Sequence, residues 1–134
     1  MASKYLLDTH ILLWFFFDSQ KISRNISRVL VNPENKLYIS AVSFWEISIK
    51  FESGKLILGD ASPSDLKNLA IQNKIVPIDL STDTSSTFHE LRTFYHKDPF
   101  DRILIWQCIK EDYIFLTEDD NIKLYQSEGL KIIE

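Results

Sequence analysis

The sequence predicts an α/β fold in three layers, a parallel sheet with helices on both faces. Short apolar runs of strand length alternate along the chain with longer segments of helical periodicity. This alternation is typical of parallel sheets, because each parallel strand needs a crossover connection that is usually a helix. With 134 residues, of which 45% are hydrophobic, the chain is large enough for one domain with a substantial core, which we expect to span residues 1–134.

Composition disfavours several classes of protein. A formal net charge of −4 argues against a general nucleic-acid-coating protein, although bound cations can still bring phosphate to an acidic site. Cys108 is the only cysteine, so no disulfide can form within the chain, and we expect it to be buried. The longest apolar run, at 11–17, is far shorter than the roughly 20 residues that cross a bilayer. Because no signal-peptide pattern is present either, we expect a cytoplasmic protein with no membrane partner.

The N-terminal half contains two predicted strand–helix units. Asp8-Thr9 follows the first apolar run and can begin a helix, and that helix is apolar on every side, as in a helix that is central or shared with a partner. A break at 32–35 ends the second helix, and Gly54 caps the third. The predicted strands lie at 4–7 and 37–40, and the predicted helices at 10–17, 22–30 and 42–53.

The C-terminal half continues the alternation. Pro77 within a strand predicts an edge position, because proline cannot donate to a neighbouring strand. Pro99 suits the first position of a helix, so Asp98 is predicted to be its N-cap, with Asp101 in its first turn. The predicted strands lie at 74–78, 113–116 and 130–133, and the predicted helices begin at Pro63, span 82–95 and 99–110, and form a short turn that ends at Tyr125.

Acidic residues that are far apart in the sequence follow the predicted strands or begin the helices after them. Ligands of parallel α/β sheets bind beyond the carboxyl ends of the strands, and the crossover connections are right-handed and unknotted. We therefore expect these acids to face one crevice. They are Asp8, Glu46, Asp101 and Asp119.

Such a group of carboxylates predicts a metal site, because the charges repel one another unless some are protonated or cations are present. Ligands that are all oxygen select hard cations such as Mg²⁺ or Mn²⁺, and the sequence shows no His/Cys spacing that is typical of zinc. An ion of this kind can activate water for attack on a phosphodiester. The pattern therefore favours a nuclease.

Four segments together resemble the successive motifs of the PIN-domain ribonucleases, and most closely those of the VapC-like toxins of bacterial toxin–antitoxin modules. Any one segment alone would be weak evidence, but the four occur in the family's order and reach from residue 5 to residue 119. They are YLLDTHILLW from residue 5, SAVSFWEISIK from residue 40, HKDPFDRILI from residue 96 and LTED from residue 116.

The resemblance implies a PIN-like fold and a metal-dependent endoribonuclease that uses Mg²⁺ or Mn²⁺, acts on RNA, forms a homodimer and is inhibited by a cognate antitoxin protein. Asp98 matches a position that only a subgroup of the family shares. Trp106 departs from the small residue that the family often has, which affects helix packing rather than the carboxylates. The family's acidic positions, implied as catalytic metal ligands, are matched by Asp8, Glu46, Asp101 and Asp119.

The main candidates also have structural interpretations. Asp8 can be a simple N-cap, although Thr9 can do the same. Glu46 can complete a capping box with Ser43, and Asp101 can complement the helix dipole. We favour metal ligation for all three acids, and for Asp119 over its acidic neighbours.

Further residues near these motifs are weaker candidates. Asp98 is expected to cap its helix more than to touch metal, and the Thr117 hydroxyl can lie near the metal waters or simply end a strand. For Arg102 we favour a structural ion pair over a phosphate contact. His10 and His96 can touch substrate, but a structural role is the more common one for single histidines.

Other side chains could contact RNA without belonging to the metal site. The aromatic run at 14–17 can stack on bases, but helical geometry favours core and partner contacts. Lys50, Lys55 and Arg92 can line an RNA path, although we expect them to be solvated surface residues.

Two rival functions remain open from the sequence. In the first, a phosphatase or phosphotransferase uses Asp8 as a nucleophile, but a common phosphatase pattern has a second Asp where this chain has His10. In the second, a non-catalytic domain binds a partner and its acids only cap helices.

Overall fold

A five-stranded, all-parallel sheet forms the centre of the computed structural model, which describes residues 3–133. The strand order is β3-β2-β1-β4-β5. Pro77 lies in β3 at one edge of the sheet, as its missing N–H predicts. The strands are β1 (Lys4–Leu7), β2 (Lys36–Ser40), β3 (Ile75–Ile78), β4 (Ile114–Leu116) and β5 (Lys131–Ile132).

Helices connect the strands, so the predicted alternation of strands and helices is confirmed. Within the described part of the chain, no helix is both long and apolar enough to cross a membrane. Short 3-10 turns at Ser19–Lys21, Phe88–Glu90 and Leu124–Glu128 complete the connections. The α-helices are α1 (Thr9–Phe17), α2 (Arg24–Val31), α3 (Ala41–Glu52), α4 (Pro63–Gln72), α5 (Thr82–Ser86), α6 (Pro99–Glu111) and α7 (Asp120–Lys123).

The sheet separates two hydrophobic cores, which confirms the three-layer arrangement. Successive residues of a strand point to opposite faces, so Leu7 and Leu116 join one core while Leu6 and Phe115 join the other. Because both faces are covered, the central strands carry continuous runs of apolar or aromatic residues (5–7, 37–39 and 114–116) rather than an alternation with polar ones. The first core is completed by residues of α1, α2 and α4, including Ile11, Ile26 and Leu66; the second is completed by residues of α6 and α7, including Leu104, Ile105 and Ile122.

The strand order places a topological switch point at the centre of the sheet. From β1 the chain moves outward through β2 to β3, and then crosses to the other side of β1 to form β4 and β5. The Asp8 N–H donates to the Leu116 carbonyl over 2.9 Å, so the ends of β1 and β4 remain paired at this point. A crevice beyond these two carboxyl ends is where ligands of open α/β sheets bind.

The helix predicted at 82–95 is wrong beyond its first turns. The structure has α5 at Thr82–Ser86 and a 3-10 turn at Phe88–Glu90, and residues 91–98 form no regular element. The early end has a local cause. The Thr87 hydroxyl donates to the Asp83 carbonyl over 2.7 Å, and hydroxyl side chains that bond to nearby backbone compete with helix formation. The helical periodicity at 82–95 therefore arises from side chains that face the core, although the backbone does not form a continuous helix.

Arg102 does not form the predicted ion pair. It is buried, and its guanidinium donates to the Leu91 carbonyl over 2.7 Å and to the Thr93 carbonyl over 3.4 Å. The same group lies over the rings of Phe94 and Phe88, at 4.0 and 5.1 Å from the ring centroids. Arg102 thus fixes the irregular segment at 91–98 to the first turns of α6.

We predict that Arg102→Lys destabilises the fold. A lysine cannot reproduce the planar fork that donates to two carbonyls while stacking on an aromatic ring. The free energy of unfolding, measured by urea denaturation, should fall by about 2 kcal/mol. Arg92→Lys is the matched control, because Arg92 is exposed, and it should change the stability by less than about 0.5 kcal/mol. Equal stabilities for the two variants would contradict this role for Arg102.

Candidate active site

Asp8 lies at the carboxyl end of β1 and is the N-cap of α1. Its Oδ1 accepts from the Thr9 N–H over 2.8 Å, and its Oδ2 accepts from the Thr117 hydroxyl, also over 2.8 Å. Thr9, the other possible cap, does not cap the helix, because its hydroxyl donates to the Ser43 hydroxyl instead. Asp8 is only 1% exposed, so its orientation is fixed from both sides.

Glu46 lies in the second turn of α3 and does not form the capping box predicted with Ser43. The helix begins earlier, and its N-cap is Ser40, whose hydroxyl accepts from the Val42 N–H. The Glu46 side chain is 6% exposed, and its Oε2 lies 2.6 Å from the Lys50 ammonium. Its other oxygen, Oε1, is buried and has no hydrogen-bond partner in the described structure. Burial therefore leaves one carboxylate oxygen of Glu46 available for a ligand.

Asp98 and Asp101 lie at the start of α6. Asp98 is the predicted N-cap: its Oδ1 accepts from the N–H groups of Phe100 and Asp101 over 2.9 and 3.2 Å. Asp101 is in the first turn, and its Oδ2 lies 3.8 Å from His96 Nε2. The predicted start of α6 therefore places two carboxylates next to each other at the same crevice.

Asp119 follows β4 and is the N-cap of α7, where its Oδ1 accepts from the Asn121 N–H over 2.8 Å. Its own N–H donates to the Thr117 hydroxyl over 3.1 Å. The neighbouring acids have other partners, since Glu118 accepts from the Ser23 N–H and Asp120 pairs with a lysine at the surface. The position at the crevice thus belongs mainly to Asp119.

Two adjoining depressions contain these side chains. One is a cavity of about 190 Å³, and beside it is an open recess of about 230 Å³; the His10 ring lines both. A larger cavity of about 350 Å³ lies under α3 and α4, but its lining is mostly apolar, so the smaller acidic cavity is the better candidate for chemistry. The acidic cavity is lined by Asp8, Thr9, His10, Leu13, Glu46, Lys50, Asp98 and Asp101, and the recess by His10, Trp14, Glu118 and Asp119.

Burial, together with the charges of neighbouring acids, makes two of the carboxyl groups weak acids. The pKa of Asp8 is raised from 3.8 to about 7, mainly by burial; hydrogen bonds from Thr117 and Thr9 lower it, and the charges of Glu46 and Asp119 contribute to the rise. Burial likewise raises the pKa of Asp101 to about 7, with contributions from the charges of Asp8, Asp98 and Glu46. A divalent cation would remove this penalty, because it favours the ionised form of every carboxylate that it binds. The donor set, with a buried unpartnered oxygen on Glu46, fits such a cation.

Two basic side chains, His10 and Lys50, belong to the same cavity. A hydrogen bond to Glu46 raises the pKa of Lys50 despite partial burial, and the charges of Asp98 and Asp101 raise it further. Burial lowers the pKa of His10, so its imidazole is neutral at pH 7. His10 Nε2 accepts from the Glu118 N–H, which assigns the ring hydrogen to Nδ1, 3.3 Å from Asp8 Oδ2.

Residues 5–127 of this chain match the family model of the PIN domain. The chain belongs to the PIN domain family. Ribonuclease VapC22 of Mycobacterium tuberculosis (strain ATCC 25618 / H37Rv) is 24% identical to this PIN domain over 121 residues, which cover 90% of this chain and 91% of that protein.

Solved structures share the fold of this PIN domain. VapBC2 from Rickettsia felis, bound to a DNA fragment from its promoter, matches with a TM-score of 0.70 and 18% identity, over 97% of each chain. DNA-bound VapBC from Salmonella typhimurium matches with a TM-score of 0.65 and 15% identity, over 98% of this chain and 97% of that one. At these identities the similarity confirms the predicted fold class.

Sequence reasoning placed the acids of this PIN domain correctly at one crevice but undervalued three basic residues beside them. Lys50 is exposed at the surface, as expected, but its ammonium also contacts Glu46, and the i, i+4 spacing of the two residues indicates such a pair. His10 contacts Asp8 two positions along the chain, and His96 faces Asp101 just before the N-cap of α6. Both histidines lie next to predicted site residues in the sequence, but a single histidine carries no sequence pattern that distinguishes a site contact from a structural role.

The raised pKa values predict how the metal-free protein responds to pH. Because the pKa values of Asp8 and Asp101 are higher in the folded state than in the unfolded chain, the folded protein binds more protons between about pH 4 and pH 7. The contribution of these two groups to stability is therefore greatest at low pH and is lost as the pH rises through 7. In EDTA, the Tm measured by circular dichroism should fall between pH 5.5 and pH 8.5.

Substitution of one acid isolates this effect from other titrating groups. Asp8→Asn should reduce the fall in Tm between these two pH values, because the amide does not ionise. Asp60→Asn, at an exposed position in the loop between α3 and α4, should keep the full fall. Excess Mn²⁺ should raise the Tm of the unsubstituted protein more at pH 8.5 than at pH 5.5. An identical pH dependence in all three proteins would contradict the prediction.

Proposed function

We propose that this chain is a metal-dependent endoribonuclease that hydrolyses RNA phosphodiesters with a carboxylate-held Mg²⁺ or Mn²⁺ ion, and that it is the toxin of a toxin–antitoxin pair. The observation that carries the proposal is the convergence of Asp8, Glu46 and Asp101 on one cavity, where Glu46 keeps a buried oxygen without a partner. Family membership and the name of the Mycobacterium tuberculosis relative, a ribonuclease, support the same activity.

The acids have different duties in this proposal. Asp8 and Asp101 hold the essential ion, and Glu46 and Asp119 complete the pocket or position a second ion and the attacking water. When bound, the cation polarises the phosphodiester and favours ionised water. Asp98 holds the start of α6 through its capping bonds and is a weaker candidate for direct metal contact.

The remaining side chains position these groups. Thr117 donates to Asp8 and accepts from the Asp119 N–H, so one hydroxyl sets the spacing between two of the acids. Lys50 holds Glu46 in place, and its ammonium can also meet a phosphate oxygen of RNA at the mouth of the cavity. Arg102 contacts main-chain carbonyls and not the cavity, so its role is to fix the segment before α6.

We predict that Asp8→Asn abolishes RNA cleavage and leaves the fold intact. The amide oxygen can still accept a hydrogen bond, but the charge that holds the cation is lost. The expected loss of cleavage rate is more than about a hundredfold, because even the loss of an outer-shell partner of a metal costs about 10- to 100-fold. The measurement is the cleavage of total RNA by purified protein with Mg²⁺, with Mn²⁺ and with EDTA, followed by mapping of the cut ends.

Controls separate loss of chemistry from loss of structure. Asp60→Asn should cleave at the rate of the unsubstituted protein, and Asp8→Asn should unfold at the same or a higher temperature. Full cleavage by Asp8→Asn, or cleavage that persists in EDTA, would overturn the proposal. Trapping of a phosphoryl group on Asp8 would indicate the phosphatase class instead.

An exposed aromatic pair next to two of the acids favours an antitoxin as the protein partner. Trp45 is 63% exposed and its ring contacts that of Phe100 at 5.3 Å between centroids, and these two residues directly precede Glu46 and Asp101 in the sequence. Exposed apolar surface beside an acidic pocket suits a segment with apolar anchors and one basic side chain that reaches the acids. The solved VapBC structures with this fold support a partner of the VapB kind.

We predict that Trp45→Ser weakens binding of the small protein encoded beside this chain. Loss of an aromatic anchor costs about 2 kcal/mol or more, which is about a 30-fold increase in Kd. Val31→Ser is the matched control: Val31 is 76% exposed, but it ends α2 and so precedes β2, at the amino ends of the strands and not at the carboxyl ends where the acids lie. The Kd values of the purified pairs, measured by calorimetry, should differ between the two variants; equal values would contradict this docking position.

A further inference from the structure

His96 is partly buried beside Asp101, and the described structure leaves its side chain without a hydrogen-bond partner. The side chain is 14% exposed, and both Nδ1 and Nε2 are buried and unpaired. A neutral imidazole has one N–H to donate and one nitrogen that accepts. Leaving a buried polar group unpaired costs about 1 to 3 kcal/mol, so the position calls for a ligand that the protein itself does not supply.

The atoms that face His96 are carboxylate oxygens. His96 Nε2 lies 3.8 Å from Asp101 Oδ2, and one ligand atom from each of His96, Asp101 and Asp119 lies within 4.8 Å of the other two. Ligands of one small cation at about 2.0 to 2.2 Å are at most about 4.4 Å apart, so small rotations of these side chains would bring all three onto one ion. The Asn121 N–H occupies Oδ1 of Asp119, and its other oxygen carries no capping bond.

Packing against aromatic rings places His96 here. Its ring lies against the ring of Tyr125, at 5.5 Å between centroids, and the Tyr125 hydroxyl donates to the His96 carbonyl over 3.5 Å. The same hydroxyl accepts from the Tyr95 N–H over 3.2 Å. The backbone and one face of the ring are thus fixed, while Nε2 lies near the Asp101 carboxylate. This is the arrangement expected of a preorganised ligand.

We propose that His96, Asp101 and Asp119 form a mixed nitrogen–oxygen cation site in which His96 supplies an imidazole ligand, and that this ligand makes the protein prefer Mn²⁺ over Mg²⁺. Imidazole is a better ligand for first-row transition ions than for Mg²⁺: Mn²⁺ binds nitrogen most weakly among them, but Mg²⁺ prefers oxygen and keeps its waters. The inference rests on the proposed function, in that Asp101 and Asp119 belong to both groups of residues. Asp8 and Glu46, which also line the acidic cavity, contribute oxygen only.

The test is pulsed electron paramagnetic resonance on the full chain loaded with Mn²⁺, which detects the ¹⁴N coupling of a bound imidazole and needs no RNA. The chain has three histidines, His10, His89 and His96, and His89 is exposed. The coupling should be present in the unsubstituted protein and in the His10→Gln and His89→Gln variants, and absent in His96→Gln. The Mn²⁺ affinity of His96→Gln, from calorimetry, should fall about tenfold or more, and its Mg²⁺ affinity should change far less.

A second protein keeps the test decisive if His96→Gln does not fold. The double variant His10→Gln/His89→Gln retains His96 as its sole histidine, and ¹⁵N-histidine labelling of this protein should replace the ¹⁴N coupling with a ¹⁵N coupling. Absence of any nitrogen coupling, or a coupling that survives in folded His96→Gln, would overturn the site. Equal losses of Mn²⁺ and Mg²⁺ affinity would overturn the preference for Mn²⁺. If Asp8→Asn loses RNA cleavage but the unsubstituted protein shows no nitrogen coupling, the nuclease proposal stands and the imidazole site is refuted.

Discussion

Repulsion among carboxylates that meet at the ends of the central strands is the constraint on which the site depends. Three of these acids, Asp8, Asp98 and Asp119, are N-caps of α1, α6 and α7. Each cap spends one oxygen on backbone N–H groups, at the positive end of a helix dipole, which lowers the cost of holding a negative charge. A carboxylate has two oxygens, so the same side chain can cap a helix and also bind a metal ion. Capping orients the carboxylate, and the uncapped oxygen remains for the crevice.

Glu46 and Lys50 balance the charge in a different way. Glu46 lies inside α3 and caps nothing, and one of its oxygens pairs with the ammonium of Lys50, 2.6 Å away. Because Glu46 is almost fully buried, this ion pair costs desolvation energy, and its contribution to stability alone does not explain its presence. The cavity supplies a further reason, since Lys50 neutralises a carboxylate that lines the cavity and whose remaining oxygen is unpaired, and a cation there would reduce repulsion among all the acids.

The sequence predicted the features that rest on local signals and missed those that rest on distant partners. Apolar runs located the strands, Pro99 located the start of α6, and Pro77 located the edge strand, because each acts within a few residues of itself. The helix expected through Tyr95 failed because Thr87 bonds back to its own turn and Arg102, eleven positions after Leu91, takes the carbonyl of that residue. The same distinction applies to the site. The acids could be predicted because they follow the ends of the strands, whereas the contacts of the histidines depend on how separate segments pack.

Burial of Glu46 also weighs between the functions that the sequence left open. A domain whose acids serve only as caps would have no reason to bury a carboxylate that caps nothing and leaves an oxygen unpaired. A phosphatase would need Asp8 to attack phosphorus, but both of its oxygens already accept hydrogen bonds, and the side chain is only 1% exposed. Attack on phosphorus needs room for an in-line approach, which a carboxylate that is fixed at both oxygens and almost fully buried does not offer. A small cation needs less room, and each carboxylate oxygen that accepts one hydrogen bond keeps a second lone pair to bind it. The geometry of these two acids thus favours the proposed metal-dependent hydrolase over both rivals.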